Sequence, residues 1–207
     1  MANVISLTAL LPPDSRLRER SRIPSLASPG EAVGLAEVLT LLVMGAGAAA
    51  LATFVRLRLG IPGHQIVYSV FPMAMGFALV PRRRAGTVMG MGAVIAATAF
   101  TAGGAAIGAG ALTALVVTGP LLDLALLAAG GGRRLYAAFL LAGTLSNIIA
   151  MIARGGMKVL GVPGLAGTRP FASWASEAVI SYTVAGFIAG GISAVAWFHL
   201  RGTDRGG

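Results

Sequence analysis

Side chains that could do chemistry are few in this sequence. The histidines are His64 and His199, and the acidic residues within or beside apolar stretches are Glu37, Asp123 and Glu177. There is no HExxH zinc motif, no GxSxG nucleophile elbow, no Walker A sequence and no cysteine. We therefore predict that the chain is not an enzyme, holds no metal or cofactor, and leaves any ATP-driven work to another chain.

One carboxylate lies deep in an apolar stretch. Asp123 follows a Gly119-Pro120 break that frees backbone carbonyls. An ionisable residue within a membrane is a functional candidate because its burial is costly. The alternative is structural: Asp123 caps backbone groups or pairs with an arginine such as Arg83 or Arg133.

Two further groups of polar residues lie beside apolar stretches. Gly60, Pro62 and Gly63 predict a tight turn within residues 56–65, which would lay Arg58, His64 and Gln65 over the opening of a helix bundle. An interfacial hairpin with snorkelling arginines is the alternative. Asn147 gives a later apolar stretch a polar face that either meets a ligand or makes an interhelical hydrogen bond. Trp174 lies near the end of a predicted long loop, residues 154–176, and is typical of an aromatic belt at the membrane interface.

The first apolar stretch carries a wall of small residues. Ala46 and Ala50, like Gly45 and Ala49, are four residues apart and fit the small-xxx-small spacing of close-packed membrane helices. The wall packs either against the protein's own helices or against a partner's helix.

Composition identifies the kind of element that positions these residues. The chain has 207 residues, of which 56% are hydrophobic and 11% charged, with 30 glycines. Mean hydropathy is +0.83. These values indicate an all-α integral membrane protein rather than a soluble domain or a β-barrel. The net charge of +9 is explained by arginines at the ends of spans, so no nucleic-acid partner is expected.

We predict six transmembrane helices within residues 34–199, preceded by a basic cytoplasmic tail, 1–33, and followed by a second tail, 200–207. The predicted spans are 34–55, 65–81, 86–103, 109–129, 135–153 and 177–199. The second is short and carries Pro72, so it is expected to be kinked or partly re-entrant. Eleven of the 16 Lys and Arg residues fall on the side of the two termini, which predicts that both termini are cytoplasmic.

This pattern resembles the substrate-binding (S) subunit of energy-coupling factor (ECF) transporters, the vitamin-uptake systems of bacteria and archaea. That family has six helices with both termini inside. Ala46-xxx-Ala50 is similar to its AxxxA element, residues 56–65 to its lid loop, and Gly119-Pro-Leu-Leu-Asp123 to a stretch of its fourth helix.

The resemblance implies capture of a vitamin or similar small molecule at the cytoplasmic membrane of a bacterium or archaeon. Transport would need a transmembrane coupling subunit, docked on Gly45, Ala46, Ala49 and Ala50, and two ATPase subunits. The residues expected to bind substrate are Arg58, His64, Gln65, Tyr68, Asn147 and Trp174.

Two observations narrow the class of ligand, and one alternative function stays open. The chain begins Met1-Ala2-Asn3 and lacks the second-position histidine of the cobalt and nickel branch, which disfavours a metal substrate. Basic external loops favour a ligand with a carboxylate or phosphate. The alternative is a non-transport accessory or scaffold subunit of a larger membrane complex, which would share this composition and topology.

Overall fold

The computed structural model describes residues 34–55, 62–129, 134–161 and 171–199, and within these ranges the chain is all-helical. A 3-10 turn, His64–Ile66, leads into the second helix, and a π-helical turn, Val195–His199, continues the last one. The six α-helices are α1 (Leu35–Phe54), α2 (Val67–Leu79), α3 (Ala85–Ala102), α4 (Ala109–Ala129), α5 (Arg134–Val159) and α6 (Phe171–Ala194).

Five of these helices, all except α2, are long and apolar enough to cross a membrane, as expected of a multi-pass membrane protein. The bounds of α3 and α4 lie within one residue of the predicted spans. The shared boundary is a turn that includes Gly104 with a φ of +88°, a conformation that glycine adopts without steric cost.

The structure corrects the predicted bounds of the last two spans. Helix α5 continues to Val159, and α6 begins at Phe171, so Arg154, Lys158 and Trp174 lie on helices and not in a loop. A hydropathy criterion ends a span at the first charge, but a helix can continue past it when long basic side chains reach towards water.

The helices form a closed ring in the order α1, α3, α4, α5, α6, α2. Helices that follow one another along the chain run in opposite directions, so the helix termini lie at two ends of the ring. One end holds the start of α1 and the Arg82 turn, and we refer to it as the Arg82 end. The other holds the end of α5 and the start of α6, and we refer to it as the Trp174 end.

Helix α2 is the exception in this ring because it is only 13 residues long. At 1.5 Å per residue it covers about 20 Å, against about 30 Å for the hydrocarbon core of a bilayer. It runs through Pro72 as one helix and buries most of its surface, including Val70, Met73 and Phe77. The second predicted span is therefore a short buried helix that falls short of a full crossing by itself.

Small residues bring the long helices into backbone contact. A Cβ on Gly143 of α5 would lie 2.6 Å from the carbonyl oxygen of Gly186 on α6, and one on Gly186 would lie 2.6 Å from that of Gly143. Such approach is the main way in which membrane helices gain packing energy.

The small-residue wall of α1 faces partly inwards, which corrects the predicted docking surface. Gly45 packs against the backbone of Met89 and Ala93 on α3, and Ala49 is fully buried. Neither is accessible to a partner. Ala46 and Ala50 are partly exposed, and they are the two docking candidates that remain.

Candidate functional site

A single amide holds the start of α2 against the middle of α5 and α6. Asn147 Nδ2 donates to the carbonyl oxygen of Tyr182 at 2.7 Å and to that of Gly63 at 3.1 Å. Gly63 has a φ of +83°, and a Cβ there would lie 2.8 Å from Tyr182 Cγ. Only glycine fits this position, both by backbone conformation and by space.

The level of this contact places the start of α2 about halfway along α5 and α6, and we refer to the region between this contact and the Trp174 end as the gap. From Asn147 to the end of α5 is 12 residues, or about 18 Å of helix. From Tyr182 back to the start of α6 is 11 residues, or about 17 Å. Among the described helices, α2 begins at Val67 and runs from this contact towards the Arg82 end.

A half-buried arginine of α5 lies on the Trp174 side of this contact. Arg154 lies seven residues after Asn147, which places it two turns further along the same face of α5. Its Nη1 donates to the Tyr182 hydroxyl at 3.3 Å, and its stem lies beside Gly110 at the start of α4. Between described residues the ion pair is Glu37–Arg82, at the opposite end, so Arg154 has no carboxylate partner within the described ranges.

Aromatic rings of α6 pack beside Tyr182. The rings of Trp174 and Tyr182 meet edge to face with centroids 6.4 Å apart, and Phe171 lies 6.1 Å from Trp174. Lys158 Nζ lies 5.6 Å from the centroid of the Trp174 ring, within cation–π distance. Trp174 is 5% exposed, so it packs between α5 and α6 and is not a lipid-facing belt residue.

Buried polar atoms without hydrogen bonds occur on the same helices. Within the described residues, Tyr68 Oη, Ser146 Oγ and Trp174 Nε1 have no partner. Burying such a group costs free energy unless it is paired, so a polar ligand or water would stabilise them.

The predicted substrate-binding residues separate into three groups. Asn147 and Trp174 both contact Tyr182 and belong to one cluster, with half-buried His64 next to Gly63 on the 3-10 turn. Tyr68 is buried at the second residue of α2, and Gln65 is exposed. Arg58 lies outside the described residues.

Arg154 and Tyr182 are the residues of this cluster that sequence reasoning missed. The seven-residue spacing of Asn147 and Arg154 and the eight-residue spacing of Trp174 and Tyr182 were the available signals. Each spacing places its two side chains on the same face of one helix once α5 is extended to Val159 and α6 begins at Phe171.

Asp123 lies at the other end of the bundle and caps a helix of its own chain. Its Oδ1 accepts from the backbone N–H of Gly86 at 2.9 Å, and its Oδ2 accepts from the Thr87 N–H at 2.7 Å and the Thr87 hydroxyl at 2.6 Å. These groups belong to the first turn of α3, where free N–H groups and the helix dipole favour an anion. No arginine side chain of the described residues bonds to it, which leaves backbone capping as the observed role.

Replacing Asp123 with alanine is expected to lower the free energy of unfolding by about 2 kcal/mol, because the buried N–H of Gly86 and the partly buried N–H of Thr87 lose their acceptor. Asp123→Asn keeps one acceptor oxygen and should lose about half as much. Reversible unfolding in mixed detergent micelles measures both. Full stability of Asp123→Ala would contradict the capping role.

The Arg82 end carries the ion pair and most of the described basic residues. Arg82 holds the Glu37 carboxylate with Nη2 3.0 Å from Oε1 and Nε 3.2 Å from both oxygens, which ties the start of α1 to the turn before α3. Arg83, Arg84 and Arg134 are exposed beside it.

Comparison of the chain with protein-family models, curated proteins and solved structures gives no significant match.

Proposed function

We propose that this chain is the membrane-embedded substrate-capture subunit of an ATP-driven uptake transporter of the energy-coupling factor type. Its substrate is a vitamin or a similar small molecule, bound in the gap at the Trp174 end. A coupling subunit and two ATPase subunits would supply the energy, since the sequence contains no Walker A motif.

The observation that carries the proposal is the depth at which α2 begins. Asn147 and Tyr182 hold Gly63 near the middle of α5 and α6, so α2 covers only the half of these helices nearer the Arg82 end, and Arg154 lies on the other half. A concave region with a few polar groups on apolar walls is the usual form of a small-molecule site, and we propose such a region in that other half.

The distribution of charge supports a topology with six crossings and both termini in the cytoplasm. Arg82, Arg83, Arg84 and Arg134 lie at one end, and Arg154 and Lys158 at the other. The end with more basic residues is the cytoplasmic one by the positive-inside rule, so the gap would open outwards. On this arrangement α2 and its preceding turn complete the second crossing together.

The exposure of α1 supports a docking surface for a partner subunit. It is the least enclosed of the five long helices, and Ala46, Gly47 and Ala50 are exposed or partly exposed on its outer face. Small exposed residues allow the backbone of a second membrane helix to approach closely.

The gap can be tested with single cysteines, because the natural chain has none. Met151 lies one turn beyond Asn147 and is partly buried, whereas the neighbouring Ile152 is 62% exposed on the outside of the bundle. We expect Met151→Cys to react with a charged, membrane-impermeant methanethiosulfonate applied outside cells, and Ile152→Cys to stay unreactive in lipid. Equal rates at the two positions would contradict a water-filled gap.

The same cysteine-free background tests the topology. Gly161→Cys at the Trp174 end should be labelled by an impermeant maleimide in intact cells. Arg83→Cys at the Arg82 end should be labelled only after the membrane is permeabilised. The reverse pattern would place the gap on the cytoplasmic side and overturn uptake from outside.

A further inference from the structure

Resting on the proposed function, we propose that Arg154 binds the anionic group of the substrate, a carboxylate or phosphate, and that the Tyr182 hydroxyl occupies this place until the substrate arrives. Arg154 would then be the residue that determines the charge of the accepted ligand.

The first support is that Arg154 has no carboxylate partner among the described residues. Arg154 is half-buried on the Trp174 side of the Asn147 contact, and within the described ranges its bonded partner is the neutral Tyr182 hydroxyl at 3.3 Å. A guanidinium in a low-dielectric region gains much more from an anion than from a phenol, and it presents donors in the planar arrangement that fits a carboxylate or phosphate.

The second support is a second cation on the same side of α5. Lys158 lies four residues after Arg154, one turn nearer the Trp174 end, and its Nζ stands over the Trp174 ring. A second cationic side chain one turn from Arg154 would add to the attraction for an anion.

The third support is the link between Arg154 and the turn at the start of α2. The Tyr182 hydroxyl accepts from Arg154, and the backbone carbonyl of the same residue accepts from Asn147, which also holds Gly63. An anion that replaces the hydroxyl at Arg154 therefore changes the surroundings of the residue on which the turn is fixed.

The test uses Trp174 as a fluorescent reporter. The chain has two tryptophans, and Trp197→Phe leaves Trp174 alone. Full-length protein in a neutral detergent is titrated with a bacterial metabolite extract that has been separated by ion exchange into anionic, neutral and cationic pools. A parallel sample in nanodiscs is prepared with and without phosphatidylglycerol, because a lipid headgroup carries the same chemistry as a soluble phosphate.

We expect the anionic pool to change the Trp174 emission, and Arg154→Gln to raise the half-saturating amount about 10- to 100-fold, as expected for loss of a charge-assisted hydrogen bond. Glutamine keeps the stem that packs beside Gly110. The matched control is Arg134→Gln, an exposed arginine at the opposite end, which should titrate like the parent. Arg154→Lys should recover part of the affinity.

Tyr182→Phe gives an independent result that does not depend on how well Arg154→Gln folds. It removes the competing hydroxyl and keeps the carbonyl that Asn147 binds, so it should tighten binding of the anionic pool about 2- to 10-fold. Weaker binding would overturn the placeholder role of the hydroxyl.

The remaining outcomes separate this inference from the proposed function. A response to the neutral or cationic pool alone would overturn the anion site and keep substrate capture. A response that is unchanged in Arg154→Gln would overturn Arg154 as the binding residue. An Arg154-dependent response to phosphatidylglycerol alone would support an anion site for lipid and overturn capture of a soluble substrate. No response to any pool or lipid would overturn both proposals.

Discussion

Replacing Asn147 with leucine is expected to weaken substrate capture, with affinity falling about 30-fold. Leucine is close in size but donates no hydrogen bond, so the carbonyl oxygens of Gly63 and Tyr182 both lose the Asn147 donor, while the Gly63 oxygen keeps the N–H of Ile66. A hydrogen bond contributes about 1 kcal/mol net, so two lost bonds cost about 2 kcal/mol, and 1.4 kcal/mol corresponds to a tenfold change in affinity. The start of α2 would no longer be fixed at the floor of the gap.

The amount of small molecule released on denaturing equal quantities of purified protein measures this effect. Thr144→Val is the matched control on the same helix, because the Thr144 hydroxyl bonds only to the Leu140 carbonyl within its own helix. We expect this control to retain the parent's occupancy. Parent-like occupancy in Asn147→Leu would show that the contact with Gly63 does not support the site.

Replacing Ala46 or Ala50 with tryptophan is expected to abolish assembly with the coupling subunit while substrate binding is retained. Both residues are partly exposed on the outer face of α1, far from Arg154 and Asn147 in the ring order. A large side chain on a close-packed face separates the two helix backbones and removes most of the packing energy that holds membrane helices together.

Co-purification of the coupling and ATPase subunits with the tagged chain measures assembly. The matched control is Ile180→Trp, since Ile180 is 70% exposed on α6, away from α1's outer face, and should tolerate the same bulk. Melting temperatures in detergent identify any variant that fails to fold. Normal assembly of both alanine variants would exclude α1 as the docking surface.

The bounds of α3 and α4 could be predicted because glycines and arginines end the apolar runs sharply in that part of the sequence. The ends of α5 and α6 could not, because Arg154, Lys158 and Trp174 extend helices beyond the point at which a hydropathy criterion stops. These three residues therefore lie on helix faces and not in the predicted loop, and this difference changes which residues form the candidate site.

Tertiary contacts account for the other differences. The spacing of small residues on α1 is the same for Gly45 and Ala46, and only the packing of α3 decides that the first faces inwards and the second outwards. Similarly, Asn147 could be singled out from the sequence as a polar residue in a span, but its two acceptors are 84 and 35 residues away along the chain. A local sequence pattern does not report contacts between residues so far apart along the chain.

Native mass spectrometry of the protein, purified from its own host in mild detergent, tests substrate capture most directly because one spectrum reports bound small molecules and bound subunits together. The account predicts a retained ligand of a few hundred daltons and a complex with one further membrane subunit and two ATPases. A ligand-free chain bound to unrelated membrane subunits would contradict it and would favour an accessory or scaffold role.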